Sequence, residues 1–356
     1  MRTGRVKGWR ALKHYVRSHK VATGVTLLIV CGLAPIACAL LRWAVLDAVW
    51  QADLSACQRA SGACWGVISE KYRIILLGRY PLEWQWRPVT ATGLLLGLVL
   101  LSSVRRCWTG ALPLAWLSGL IVYWALMAGG VAGLPAVETD RWGGLPLTIL
   151  LSTLALALAF PLAILIALGR RSSLPAIRSL CALYVELIRS VPLVSVLFMA
   201  SFMLPLLLPQ QIHIDGLLRV LVCLVLFAAA YLAEVVRGGL QAVDPGQAEA
   251  AQSLGLGYWQ TQRYVVLPQA LHTALPAIVN NFIATFKDTS LVTIVSLYEL
   301  TGSSSLALNS DADWRPYKLE VSLFVAGVYF VFCFALSQFS RRLERSGNRA
   351  VGAAAL

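Results

Sequence analysis

The sequence predicts an all-α integral membrane protein of about eight transmembrane helices. Three observations carry that reading. The 356 residues are 58% hydrophobic and only 13% charged, with a mean hydropathy of +0.71, whereas charged residues make up about a quarter of an ordinary soluble domain. Apolar runs of about 20 residues, the length that spans a bilayer, recur along the chain. The basic residues cluster at the ends of these runs rather than spreading over them.

The runs fall near 21–41, 91–104, 111–128, 147–169, 177–208, 216–236, 269–298 and 318–339. The first follows Arg2, Arg5, Lys7, Arg10, Lys13, Arg17 and Lys20, with no convincing small-residue cleavage site, so it reads as a retained anchor. The second is short and draws on Val89 to Ala91 and on the snorkelling stems of Arg105 and Arg106. If the N-terminal tail is cytoplasmic, eight crossings put Arg105-Arg106, Arg170-Arg171 and Arg341, Arg342 and Arg345 on that same side. The loops holding Glu138, Asp140, His213 and Asp215 fall outside. This is the positive-inside pattern, and seven or nine crossings break it.

The net charge of +13 therefore points to anionic lipid headgroups and not to nucleic acid. The eight cysteines show no metal spacing. Most sit in apolar runs as packing residues. Cys57 and Cys64 lie in a polar loop, and they are a disulfide candidate if that loop faces an oxidising space.

One polar stretch, residues 244–268, interrupts the apolar pattern before the seventh run. Asp244 is an N-cap residue followed by Pro245, a favoured first helical position. A short helix through Ser253 then ends at Gly255. A second short helix runs from Tyr258 to Val266, and Pro268 fits the first turn of the next span. Small alanines permit close approach, and Tyr258 and Trp259 are bulky anchors of the kind that dominate interfaces. The stretch is either a docking hairpin for a cytoplasmic partner or a plain connector.

Its spacing resembles the EAA loop of ABC-importer permeases: Glu249-Ala250-Ala251, three residues, Gly255, nine residues, Val265 where that pattern usually has Ile, one more residue, then Leu267-Pro268. The segments 184–198, 229–243, 267–292 and 296–302 resemble the polar amino-acid branch of that family. The extra spans before residue 142, and the phrases WGGLPLTILLST (142–153) and LFMASFMLPLLLP (197–209), resemble the longer permease subunits of general L-amino-acid transporters. The resemblance covers about residues 142–340. It implies a type I core of five spans with three extra N-terminal spans. The division is then a cytoplasmic tail (1–20), an extension with an outer loop (21–141), the core (142–340) with its loop 244–268, and a cytoplasmic tail (341–356). It further implies a bacterial inner membrane, a second permease subunit in a heterodimer and a periplasmic amino-acid-binding protein. An ATPase dimer would carry ATP and Mg, and the loop residues Glu249, Ala250, Ala251, Gly255, Tyr258, Trp259, Leu267 and Pro268 would dock it. This chain itself needs no cofactor or metal and is not expected to be an enzyme.

Charged residues inside a bilayer are costly and generally face a cavity or the bundle interior. Glu186 and Arg189 share a helix face, and Glu186 lies about 15 Å along an upright helix that enters near Ala176, with Pro192 following as a point where the span can kink. They are part of the pathway or gate, or else a structural ion pair. Glu234 and Arg237 repeat the spacing near the cytoplasmic end and read as a structural pair supporting the loop. Asn280, Asn281, Thr285, Lys287, Asp288, Thr289 and Ser290 form the densest polar patch. They line a pathway around a helix break, or mark the outer interface. An amino-acid zwitterion needs a cation, from Lys287 or Arg189, and an anion, from Asp288 or Glu186.

No phosphate-binding G-x-x-x-x-G-K-[ST] occurs, so ATP chemistry belongs to a partner. A proton-coupled secondary transporter accounts for the intramembrane carboxylates but not for the spaced loop. A non-transporting scaffold or regulatory subunit docks a partner but fails to move substrate when the full complex is reconstituted.

Overall fold

The computed structural model describes residues 20–354 apart from 103, 105, 106, 132, 210, 212 and 213. The residues expected to orient the chain at Arg2 to Arg17, Arg105, Arg106 and His213 lie outside the described residues. All regular elements among the described residues are helical.

The chain divides into two compact units, one of residues 1–70 with 316–321, the other of residues 71–315 with 322–356. In the first, helix α1 (Lys20–Leu41) continues through a π turn (Arg42–Leu46) and is exposed along its apolar length. A short α2 (Leu54–Arg59) follows, capped by Asp53, whose carboxylate accepts from Ser55 N and Ala56 N. Cys57 and Cys64 form a disulfide.

Helix α3 (Gly66–Leu77) carries the chain from the first unit into the second, where α4 (Trp86–Ser102) and α5 (Leu112–Ala128) follow. At 17 residues each, α4 and α5 reach about 25 Å. They share a buried core with α6 (Gly144–Gly169), built from Leu95, Tyr123, Met127, Trp142, Leu147 and Leu151 among others. Arg87 is fully buried and donates to the carbonyls of Leu126 and Met127 at 2.6 and 3.4 Å, which the end of α5 leaves open, and to Pro135 O in the following loop at 3.0 Å. Lys71 donates to Asp311 at 2.9 Å and thereby holds the Asp311 carboxyl below its ordinary value. That contact stabilises the fold at neutral pH and is lost as pH falls through the lowered value.

Helix α7 (Pro175–Ser190) is followed by α8 (Leu193–Phe198), a π turn (Met199–Met203) and α9 (Leu204–Leu207). The run expected as one upright span is bent by 99° between Ser190 and Leu193. Pro192 removes an amide and forces Val191 into an extended backbone, so the helix cannot continue. The bend lies beyond Glu186, which stays about 15 Å along α7 from Ala176; the part after Ser190 is what leaves the axis.

Helix α10 (Gly216–Gln241) packs along α6 and against α13 (Leu267–Asp288). Between them lie α11 (Pro245–Ser253) and α12 (Tyr258–Thr261). After α13 come a 3₁₀ turn (Thr289–Val295), α14 (Leu300–Asn309), a second 3₁₀ turn (Ala312–Tyr317) and the last helix, α15 (Lys318–Ala354). Helices occupy all eight predicted runs. Among the described residues, four stretches, Val21–Leu46, Gly144–Gly169, Gly216–Gln241 and Ala312–Arg342, are long and apolar enough to cross a membrane. The bent pair α7 and α8–α9 makes a fifth if it is one broken span.

Candidate functional site

The hairpin is built by local capping. Asp244 Oδ1 accepts from Gly246 N at 2.8 Å, fixing the start of α11 behind Pro245. Gly255 takes φ +86°, a left-handed conformation that a side chain disfavours, while Gly255 N and Leu256 N close on Gln252 O and Ala251 O at 2.9 and 3.2 Å. Gln260 reaches back to accept from Gly257 N at 3.0 Å. Helix α12 does not end at Val266. It runs on through a π turn (Gln262–Val266) into α13, with Pro268 in the first turn.

The hairpin has an inner and an outer face. Ala251 and Thr261 are buried, and Ala248 and Leu267 pack on a core of Ala167, Leu168, Val236, Leu240, Val266 and Ala270. Ala251 is thus a packing residue, not part of an accessible surface. Glu249, Ala250, Tyr258 and Pro268 are exposed, together with Leu254 at 84% and Trp259 at 68%. The Tyr258 and Trp259 rings meet edge to face at 5.3 Å.

A charged node is centred on Glu234 of α10. Glu234 accepts from Arg170 at 2.6 Å and from both Nε and Nη2 of Arg237, and Arg189 lies 3.8 Å away. The structure therefore brings Glu234 and Arg237 together but does not pair Glu186 with Arg189. Glu186 is 74% exposed and reaches Arg170 at 4.0 Å. Arg189 instead lies over the ring of Tyr231 at 5.2 Å. Arg189 extends to Glu234 and Tyr231 of α10, and Glu186 to Arg170 at the end of α6.

Tyr231 also lines a cavity of about 260 Å³ with Leu193, Phe227, Ala228, Asn281, Ala284, Thr285 and Asp288. Asn281, Thr285 and Asp288 recur at helical spacing on one face of α13. Asn280 and Lys287 lie on another face, exposed, and share it with Gln269, His272 and Thr273. Among the described residues Lys287 makes no ion pair or hydrogen bond. The two adjacent asparagines and the Lys-Asp pair are thus split between an enclosed and an open face.

Past the end of α13, Glu299 is fully buried and caps α14. Its Oε1 accepts from Thr301 N, Gly302 N and the Thr293 hydroxyl at 2.8 to 3.0 Å. The Tyr329 hydroxyl donates to Oε2 at 2.7 Å.

Residues 159–347 match the family described as "Binding-protein-dependent transport system inner membrane component". The chain belongs to this family. Its members are the membrane permease subunits of ABC transporters. The inner membrane amino-acid ABC transporter permease protein YhdY of Escherichia coli (strain K12) is 46% identical over 317 residues, 87% of this chain and 84% of that one. The glutamate/glutamine/aspartate/asparagine transport system permease protein BztC of Rhodobacter capsulatus is 36% identical over 372 residues, 86% of each chain. Among solved structures, a crystal structure of an amino acid ABC transporter with histidines is 32% identical, with a TM-score of 0.51, over 57% of this chain and 92% of that one.

In this permease, sequence reasoning missed Arg170, Tyr231 and Glu299 as members of polar sites. Arg170 read as an orientation marker, and Tyr231 as an ordinary aromatic in an apolar run. Glu299 did carry a signal. An acid directly before Leu-Thr-Gly at the start of a short helix is an N-cap pattern.

Proposed function

We propose that this chain is the permease subunit of an ATP-driven importer for polar or general L-amino acids. It crosses the inner membrane eight times with both termini cytoplasmic, forms a translocation pathway with a second, non-identical permease subunit, and receives substrate from a periplasmic binding protein. The hairpin 244–268 docks an ATPase dimer that holds ATP and Mg. One observation carries the docking reading. The hairpin buries its small residues on the permease core while exposing Leu254, Tyr258 and Trp259 together, a large apolar surface on an otherwise polar loop. The relatives' names support amino acids as cargo.

The open face of α13 supports the pathway reading. Lys287, Asn280 and His272 are too polar to face lipid, so they line water at the boundary with the second subunit. Of the groups able to hold a zwitterion, Asp288 suits the ammonium, because it lines the cavity and Glu186 does not. Arg189 beyond Tyr231, or Lys287 on the open face, receives the carboxylate. A proton-coupled carrier leaves the exposed hairpin without a role.

The test is gentle detergent purification followed by mass spectrometry of what accompanies the chain. A stoichiometric P-loop ATPase is expected with the wild type and is lost with Gly255→Pro, because proline cannot adopt φ +86°. Purification without any ATPase, and transport abolished by a protonophore alone, would reverse the reading.

A further inference from the structure

The first unit holds a chemical feature that transport does not use. After α1 the backbone from Arg42 to Gly66 folds back into a tight knot. Ala63 N donates to Trp43 O at 2.8 Å, Val49 N to Ala63 O at 2.8 Å and Gly66 N to Val49 O at 3.1 Å. The Trp65 indole donates to Ala44 O at 2.7 Å. The two segments press so closely that a Cβ on Gly62 would lie 2.1 Å from Asp47 O, and one on Gly66 2.0 Å from Gln51 O. Cys57 and Cys64 close this knot with their disulfide, Cα atoms 5.4 Å apart, and both are buried. The Cys64 amide then donates to Glu320 Oε1 at 3.2 Å. Glu320 is only 6% exposed and stands in the first turn of α15, where a helix N-terminus favours its negative charge.

We propose that Cys57–Cys64 is a permanent staple, made outside the cytoplasm, that holds the Cys64 amide on Glu320 and so pins the end of α1 to the first turn of the last helix. Helix α1 is exposed along its length, so the knot is what ties it down. The staple removes the freedom the loop would otherwise have to peel away. Its formation needs a disulfide-bearing oxidant of that compartment. The Cys57 thiolate attacks one sulfur of the oxidant and expels the other as a thiol. The Cys64 thiolate then displaces the first sulfur, leaving Cys57–Cys64 oxidised, the oxidant a dithiol and the two thiol protons on its sulfurs. Such bonds persist in oxidising spaces and are reduced in the cytosol. The residues before α1 then lie on the cytoplasmic side, an orientation that rests on the proposed inner-membrane permease reading.

Two measurements test this on the full chain. Cells are quenched in acid, and the denatured protein is alkylated with a maleimide before and after reduction, with intact mass as the readout. Six adducts are expected before reduction, one per free cysteine, and eight after, the full cysteine count. Eight before reduction overturn the staple. Right-side-out vesicles are then treated with trypsin, and cleavage after the exposed Arg59 is followed. Glu320→Ala is expected to be cut about tenfold faster than wild type, the size of effect that loss of a charge-assisted hydrogen bond has on local opening. Glu320→Gln stays near wild type, because its amide oxygen still accepts. Equal rates for Glu320→Ala and wild type overturn the pin, and cleavage only in inside-out vesicles overturns the orientation. Neither readout involves the ATPase, so failure of the permease reading leaves both results standing.

Discussion

Three arginines, Arg170, Arg189 and Arg237, converge on Glu234, with Glu186 as the only other acid in the ion-pair network. Removing the central carboxylate leaves neighbouring cations in partly desolvated positions with nothing to offset them. Glu234→Gln is expected to cost about 2 kcal/mol, below the range for fully buried pairs because the node is partly solvated. In detergent that appears as a melting temperature lower by about 4 °C. Glu186→Gln removes an exposed charge at 4.0 Å and should shift stability by less than about 0.5 kcal/mol. Equal effects from the two changes would show that the node is not centred on Glu234. Asp288 stands apart from this node, in the wall of the cavity. Asp288→Asn is expected to reduce uptake at low substrate concentration by about tenfold, the loss that follows when a charge-assisted contact goes. ATPase co-purification should be unchanged. Loss of both together would make Asp288 a folding residue.

The elements differ in how far the sequence describes them. Helix α11 coincides with the range predicted by its capping residues, because Asp244, Pro245 and Gly255 act on their own backbone. The break at Pro192 is legible for the same reason, but its 99° angle is not, since direction after a break depends on what each half packs against. Likewise, the polar content of α13 is plain in the sequence, whereas its division into an enclosed face with Asn281, Thr285 and Asp288 and an open face with Asn280 and Lys287 is set by the neighbours of α13. The open face yields a direct prediction. In membranes, Asn280→Cys and Lys287→Cys should react quickly with a charged, membrane-impermeant thiol reagent, above the background of the native cysteines. Phe330→Cys, on an exposed apolar face of α15, should react slowly. Slow reaction at both α13 positions would place that face against protein rather than water.

At the scale of the whole chain, the length of the permease itself requires a physical account. The family match begins at residue 159, so residues 1–141 lie before it. Here α4 and α5 share a core with α6. Tyr123 is fully buried with its hydroxyl donating to Pro146 O at 2.9 Å, and Leu95 and Met127 sit in the same cluster as Leu147 and Leu151. Deleting residues 1–141 removes those partners. In a bilayer the exposed apolar surface costs little, because lipid tails are as apolar as the leucines they replace. The lost terms are packing and the hydrogen bond to Pro146. The truncated chain should therefore still insert and still bring down the ATPase through its intact hairpin. It should melt at least about 5 °C lower, as expected for the loss of a few kcal/mol. An unchanged melting temperature would mean that α4 and α5 contribute nothing to the stability of the core they touch.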